Sequence, residues 1–266
     1  MDLEQIEVRL ARTSDELSQA QRLRYEVFYE ECGAQPDQAM RSTRLDADPH
    51  DAIMDHLLVI DHSRTISQGQ VVGNYRLLPQ DRLGQGDVFY SSAEFDLAPL
   101  LDSGLRLLEL GRSCVMRDYR GLPILQMLWR GIAEYAAARR IELLFGCASL
   151  REGPERSIQA QLALLHHAYL APSHLCPVAL PERRVEPALL PSESGDGRRG
   201  QRALEPLVRG YLRAGAWIGD GGARDDVFDC VDVCIVMPTS KLTPRYQRHF
   251  RQPDPAGNAA QALQRP

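Results

Sequence analysis

The order of apolar patterns along the 266 residues predicts an α/β sandwich, a sheet covered by helices, rather than a doubly wound nucleotide fold. Three observations carry this. An alternating segment, Ile6-Glu7-Val8-Arg9-Leu10, precedes a helical stretch and then two apolar runs at 56–61 and 71–78. A third long run at 105–115 feeds an amphipathic helix at 121–139 and another run at 141–149. A strand–helix–strand unit of this length implies a parallel pair. After more helix, residues 231–237 form a late, buried strand.

Each element follows from local chemistry. Ser14 can cap a helix running through Glu31, with Leu17, Leu23, Val27 and Phe28 on its apolar side. Residues 33–54 are polar and rich in Asp, and read as a long functional loop. A polar turn near Ser67-Gln68-Gly69 separates the next two strands. In the helix at 121–139, Ile124, Leu125, Leu128, Trp129, Ile132 and Tyr135 fall on one stripe. Another helix is expected at 154–169, with Ile158, Leu162, Leu165 and Tyr169 near one face. Residues 186–203 mix both charges with Gly, Pro and Ser, as a flexible insertion would, and structure resumes at 204–218. One domain over 1–251 and a disordered tail at 252–266 are expected.

With 44% hydrophobic and 25% charged residues, composition is that of a soluble enzyme. No apolar run approaches the ~20 residues of a spanning helix, and the N-terminus lacks a signal pattern, so a cytoplasmic protein is expected. The cysteines (32, 114, 147, 176, 230, 234) lack paired metal spacing and read as small core residues in a reducing compartment, with no metal site. A net charge of −5 argues against nucleic acid as a partner. Arg112, Arg117, Arg120, Arg130, Arg139 and Arg140 nevertheless crowd one region, which suggests a specific anionic partner.

The most informative stretch is Leu107 to Ile124, an apolar strand that passes through Gly111 and leads by way of Tyr119-Arg120-Gly121 into a helix N-terminus. Motifs spread over residues 20–250 accompany it: Arg24-Tyr25-Glu26-Val27-Phe28, Asp55-His56-Leu57-Leu58, Gly73-Asn74-Tyr75-Arg76-Leu77-Leu78-Pro79, Glu109-Leu110-Gly111-Arg112-Ser113, Phe145-Gly146-Cys147-Ala148-Ser149, Gly210-Tyr211-Leu212-Arg213 and Asp232-Val233-Cys234-Ile235-Val236. In this order they resemble the GNAT acyltransferases, most closely the bacterial L-ornithine N-acyltransferases. The acyl-homoserine-lactone synthases share part of the pattern.

The resemblance implies a GNAT-like mixed, strongly twisted central sheet flanked by helices. It also implies transfer of a 3-hydroxyacyl chain from acyl carrier protein to the α-amine of L-ornithine, giving lyso-ornithine lipid. No bound cofactor is implied; the donor is the carrier's phosphopantetheine arm. The similarity carries Arg24, Phe28, Asp46, Asp48, Asp51 and Arg76 over as substrate-binding residues, and Glu109 and Arg112 as catalytic ones. Arg117, Arg120, Gly121 and Arg139 are the expected carrier contacts. Ordinary acetyl-CoA enzymes have Gly where this chain has Pro123 and Leu125. Pro lacks an N–H and Leu impedes close approach, which favours the carrier over CoA. Rival readings are an N-acyl amino acid synthase, an acyl-homoserine-lactone synthase, and a non-catalytic carrier-binding module.

The residues themselves admit more than one role. Glu109 can take the proton an attacking amine must lose. On a regular strand Glu109 and Arg112 point to opposite faces; a bulge at Gly111 would bring them to one. They could equally form a structural ion pair. Arg24 and Arg76 lie among apolar residues, where a charge needs a partner; they clamp a carboxylate, order the Asp-rich loop, or are exposed. Asp46, Asp48, Asp51 and Asp55 offer acceptors for a cationic amine, without the spacing of a calcium loop. His56 is a proton relay or a core-edge histidine, and His166-His167 lacks zinc spacing. Cys114 and Cys147 border the expected thioester channel but have no evident base. Peripheral contact with the inner face of the membrane is expected near 204–217, through Leu207, Val208, Tyr211, Leu212 and Trp217, unless that face packs onto the sheet.

Overall fold

A computed structural model describes residues 2–153, 157–188 and 204–241. The expected tail at 252–266 and most of the expected insertion lie outside these residues. Within them the chain forms two units. One comprises Met1–Arg82 and Leu110–Arg140, the other Leu83–Glu109 and Ile141–Gln247, each as far as it is described.

In the first unit, β1 (Ile6–Leu10) pairs antiparallel with β2 (Asp55–Asp61), and β2 with β3 (Val71–Pro79) from Asp55↔Leu77 to Ile60↔Val71. The strand order continues from β3 to β5 (Leu107–Val115). Helix α1 (Ser14–Tyr25) packs on β3, burying Ala20 and Leu23 against Leu58, Ile60, Val71 and Cys114. Its cap is Thr13 rather than Ser14, the Thr13 hydroxyl accepting from the Glu16 N–H at 3.2 Å. The helix does not stay regular to Glu31. Over Glu26–Glu31 it widens by one residue per turn, and the Cys32 N–H bonds the Val27 carbonyl at 3.1 Å.

The Asp-rich segment holds more structure than a loop. Asp37 accepts from the Met40 N–H at 2.7 Å and starts α2 (Gln38–Thr43), which ends on Arg44 at φ +55°. Asp48 and Asp51 then cap a 3₁₀ turn, Pro49–Ala52, reciprocally.

Helix α4 (Leu122–Ala138) crosses β1 and β2. Ile124, Leu128, Trp129, Ile132 and Tyr135 are buried as expected, whereas Leu125 lies exposed beside the stripe. Gly131 lets the helix lie flush: a Cβ there would meet Leu57 at 3.0 Å and Val8 at 3.1 Å.

In the second unit, Leu107–Glu109 of β5 runs parallel to Leu143–Phe145 of β6 (Leu143–Leu150), the pairing the strand–helix–strand pattern predicted. Strand β6 pairs antiparallel with β11 (Cys230–Pro238), β11 with β10 (Gly222–Asp225), and β10 with β8 (Arg184–Val185). Strand β9 (Trp217–Ile218) adds to β11, and β4 (Phe95–Asp96) pairs with β7 (Val178–Ala179). The pairings therefore include both parallel and antiparallel strands. Short α3 (Ala98–Leu101), α5 (Ile158–Tyr169) and α6 (Pro206–Ala214) complete the unit. Helix α6 turns Val208, Tyr211 and Ala214 inward, so Val208 and Tyr211 are core residues. Trp217 is half-buried, with the Lys241 ammonium 4.8 Å from its ring centre.

Candidate active site

In the first unit, three arginines and three aspartates interlock. Arg24, fully buried on α1, donates from Nε to Asp46 Oδ2 at 3.0 Å and from Nη2 to Asp51 Oδ2 at 2.7 Å. It also reaches the Asp46 carbonyl. Arg76, equally buried on β3, meets Asp48 at 2.7 Å and Asp51 Oδ1 at 3.1 Å. Arg112 on β5 meets Asp46 at 3.2 Å and Asp48 at 3.7 Å. Gln21 and Tyr29 add donors to Asp51 and Asp46 at 2.9 and 3.3 Å.

Of the expectations for Arg24 and Arg76, exposure fails and loop-ordering holds: the guanidiniums pin the Asp-rich segment. Burial alone would raise the Asp51 carboxyl pKa, but the Arg24 and Arg76 charges outweigh it and hold it far below the usual carboxylate range. Asp48 is lowered in the same way by Arg76 and Arg112. Asp55 is taken by Tyr135 at 2.7 Å and by Arg82 and Arg139 at 2.5 and 3.4 Å. The loop's carboxylates, expected as acceptors for a substrate amine, are thus each bound by a guanidinium of the chain. His56 is a core histidine whose pKa burial lowers, and its Nε2 lies 3.2 Å from the Asp51 carbonyl. Phe28 is half-buried against the α1 core.

The irregularity in β5 falls on Arg112, at φ +47°, one residue beyond the expected bulge at Gly111. Its carbonyl accepts from the buried Asn74 side chain at 3.0 Å. A non-glycine residue in this conformation is costly and is held here by the two aspartates its guanidinium meets.

In the second unit, Glu109 is 1% exposed. Its two oxygens accept from the backbone N–H groups of Tyr90 at 2.9 Å and Ser91 at 2.7 Å. The Ser91 hydroxyl accepts from Cys147 Sγ at 3.3 Å. Cys147 also lies beside Glu94, and Glu94 beside Asp232. One ligand atom from each of Glu94, Cys147 and Asp232 lies within 4.8 Å of the others, and Asp225, Cys230 and Asp232 form a second such set. The β register explains this: Cys147 opposes Cys234, Ser149 opposes Asp232, and Cys230 opposes Asp225, so all face one side of the sheet. Burial, then the charge of Asp232, pushes the Glu94 carboxyl pKa up to about 8. Asp232 is raised as well, chiefly by burial.

Sequence reasoning gave Glu94 and Asp225 no role and quoted Asp232 only within a motif. The available signal was an acid inside the apolar run 231–237, where a charge needs a reason.

Cysteine nucleophiles fare poorly. Burial raises the Cys114 thiol to about 12 and the Cys147 thiol well above its ordinary value, leaving both protonated. The expected carrier contacts separate into two places. Arg117, Arg120 and Gly121 are exposed at the start of α4, with Arg120 also bonded to Glu31 at 2.7 Å. Arg139 caps the far end, about 25 Å away along a helix rising 1.5 Å per residue, and lies 4.9 Å from the Tyr135 ring centre. At the N-terminus of α4, Pro123 removes one of the N–H groups that could face a phosphate.

A mixed sheet flanked by helices, with a strand leading into the N-terminus of a crossover helix, is the architecture of the GNAT acyltransferases. Residues 23–130 match the family described as Acetyltransferase (GNAT) domain. The chain is 41% identical over 245 residues to the L-ornithine N(alpha)-acyltransferase of Rhodobacter capsulatus, spanning 92% of this chain and 94% of that protein. It is also 41% identical to the protein of the same name from Agrobacterium fabrum, over 92% of this chain and 85% of that one. The chain belongs to the L-ornithine N(alpha)-acyltransferase family. Among solved structures, similar ones include the AHL synthase LasI, at 13% identity and TM-score 0.49 over 92% of this chain and 93% of that chain. Another is FeeM, an N-acyl amino acid synthase from uncultured soil microbes, at 12% identity and TM-score 0.44 over 91% and 97%.

Proposed function

We propose that this chain transfers a 3-hydroxyacyl group from acyl carrier protein to the α-amine of L-ornithine, giving lyso-ornithine lipid. The observation that carries the reading is 41% identity across nearly the whole length of an L-ornithine N(alpha)-acyltransferase. The amine nitrogen attacks the thioester carbonyl, the new C–N bond replaces the C–S bond, and the pantetheine sulfur leaves with a proton. No enzyme-bound acyl group is needed, in keeping with thiols held protonated. An α-amine, with a pKa of ~7.7–8.0, is largely protonated near neutrality, so a base must act. Glu109 is that base in this reading, its two oxygens oriented by the backbone N–H groups of Tyr90 and Ser91.

Arg117, Arg120 and Gly121 are the carrier contacts, because exposed positive charge steers an acidic partner. Arg139, at the other end of α4, is outside that contact. Among the described residues no helix is long and apolar enough to cross a membrane. We place the enzyme in the cytoplasm, meeting the membrane only peripherally as it delivers its product.

The test is mass spectrometry of the product formed from 3-hydroxyacyl carrier protein and L-ornithine. Glu109→Gln should fold and lose at least ~10²-fold in turnover, the lower range for a lost general base. Near-normal turnover by that variant between pH 7 and 9 would remove Glu109 as the base. Equal use of long-chain acyl-CoA, together with no effect of Arg117→Glu and Arg120→Glu, would remove the carrier.

A further inference from the structure

An amino acid with a second ammonium group needs a counter-charge for it, and the Asp-rich loop cannot supply one without losing an arginine. The second unit holds the reverse case, acids without a cation. Among the described residues, Glu94 is acted on by Asp232, Cys147 and Asp225, and Asp232 by Ser149, Asp225, Cys230 and Glu94. None of these is positively charged. Glu94 is 3% exposed, and its Oε2 has no hydrogen-bond partner. Asp225 is occupied by its own turn, accepting from the Val227 and Phe228 N–H groups at 2.8 and 3.1 Å. In this cluster Glu94 and Asp232 therefore remain as the two acids with neither a counter-ion nor a backbone turn to hold them, among the described residues.

We propose that Glu94 and Asp232 bind the δ-ammonium of the acceptor, making this face of β6 and β11 the site that selects a diamino acid over a neutral one. The inference rests on the proposed function for the acceptor's identity and adds the residues that recognise it. An ammonium between the two acids takes the place of the proton that Glu94 holds beside Asp232 and makes two charge-assisted hydrogen bonds. Glu94 Oε2 gains the donor it lacks. Cys147 and Ser149, on the same face of β6, are half-buried rather than closed off, so an alkyl ammonium reaches the acids past them. Ser91 ties this site to the proposed base, since its N–H holds Glu109 while its hydroxyl accepts from Cys147. A divalent metal is the competing occupant of these groups, and the experiment below separates the two.

The experiment compares L-ornithine with L-norvaline, which keeps the carbon chain and lacks the δ-amine. Wild-type protein in calorimetry at pH 7 should bind ornithine with release of about one more proton than norvaline, because Glu94 starts protonated and must ionise beside the ammonium. Equal proton release, or equal affinity for the two amino acids, overturns the proposal. In turnover, Glu94→Gln and Asp232→Asn should each raise the KM for ornithine by about 10-fold or more, the range for losing a charged hydrogen bond. Activity on norvaline and the KM for the acyl donor should move little. Variants that keep the wild-type preference for ornithine, or that lose both substrates equally, overturn it. So does a stoichiometric metal in purified wild-type protein whose removal abolishes ornithine binding. The amide variants relieve repulsion between buried acids, so their ligand-free melting temperatures should equal or exceed that of the wild type. Should one fail to fold, the wild-type calorimetry still decides. A wild type that binds ornithine with the proton release but forms no acyl-ornithine would sink the proposed function and leave this site standing.

Discussion

Arg24 is fully buried and holds two aspartates that lie 22 and 27 residues away along the chain. Removing it leaves Asp46 and Asp51 without their shared counter-ion in a site with little water, which is the costly way to break a buried pair. Arg24→Ala is expected to lower stability by about 3–5 kcal/mol, read from urea unfolding, and Arg24→Lys by less, since it keeps the charge and loses the fork. A loss under about 1 kcal/mol for the alanine variant would mean the surrounding charges rearrange freely, because that is the range of exposed pairs. At this scale the sequence was half legible. An arginine among apolar helix residues announced the need for a partner, and an Asp-rich stretch offered candidates. It could not say that each of three guanidiniums meets two of three carboxylates. Glu94 was illegible for the opposite reason: it sits in a short turn segment whose polar neighbours make an acid look solvated, and only the fold brings β11 beneath it.

Elements were read more reliably where a period repeats. The core stripe of α4, the strands β1 to β3 and the parallel pairing of β5 with β6 all follow from spacing. The widening of α1 at Glu26–Glu31 and the short helix inside the Asp-rich segment did not, since each depends on one or two caps or hydrogen bonds rather than on a repeating pattern. Glycines at close approaches were equally silent. Gly219, after β9, donates its N–H to the Cys234 carbonyl at 2.8 Å, and a Cβ there would stand 2.6 Å from the Pro177 carbonyl oxygen. A backbone oxygen yields less readily than a side-chain methyl. Gly219→Ala is therefore expected to cost about 1–3 kcal/mol, the usual range for overpacking, as a lower melting temperature. An unchanged melting temperature would show that the Pro177 carbonyl gives way without strain.

For the molecule as a whole, buried charge of opposite kinds in the two units predicts a stability profile with two limbs. Asp51 and Asp48 have folded pKa values below those of the unfolded chain, so their contribution is present above the ordinary carboxylate pKa and is lost as pH falls through it. His56, held neutral by burial, adds to the acid limb, because the unfolded chain protonates it near pH 6.5 while the folded chain resists. Glu94 acts in the other direction. Its folded pKa of about 8 lies above the unfolded value, so the folded state holds a proton that the unfolded state has released, and stability falls as pH rises from about 4.5 to 8. Asp232, also raised, pushes the same way. Melting temperature should therefore peak in weakly acidic solution and decline towards pH 8. Glu94→Gln should flatten the alkaline limb and leave the acid limb in place, while Asp51→Asn should do the reverse at a lower overall stability. A wild-type profile that rises steadily from pH 5 to 8, or a Glu94→Gln profile parallel to the wild type, would show that the acid pair carries no strain in the folded chain and needs no cation to relieve it.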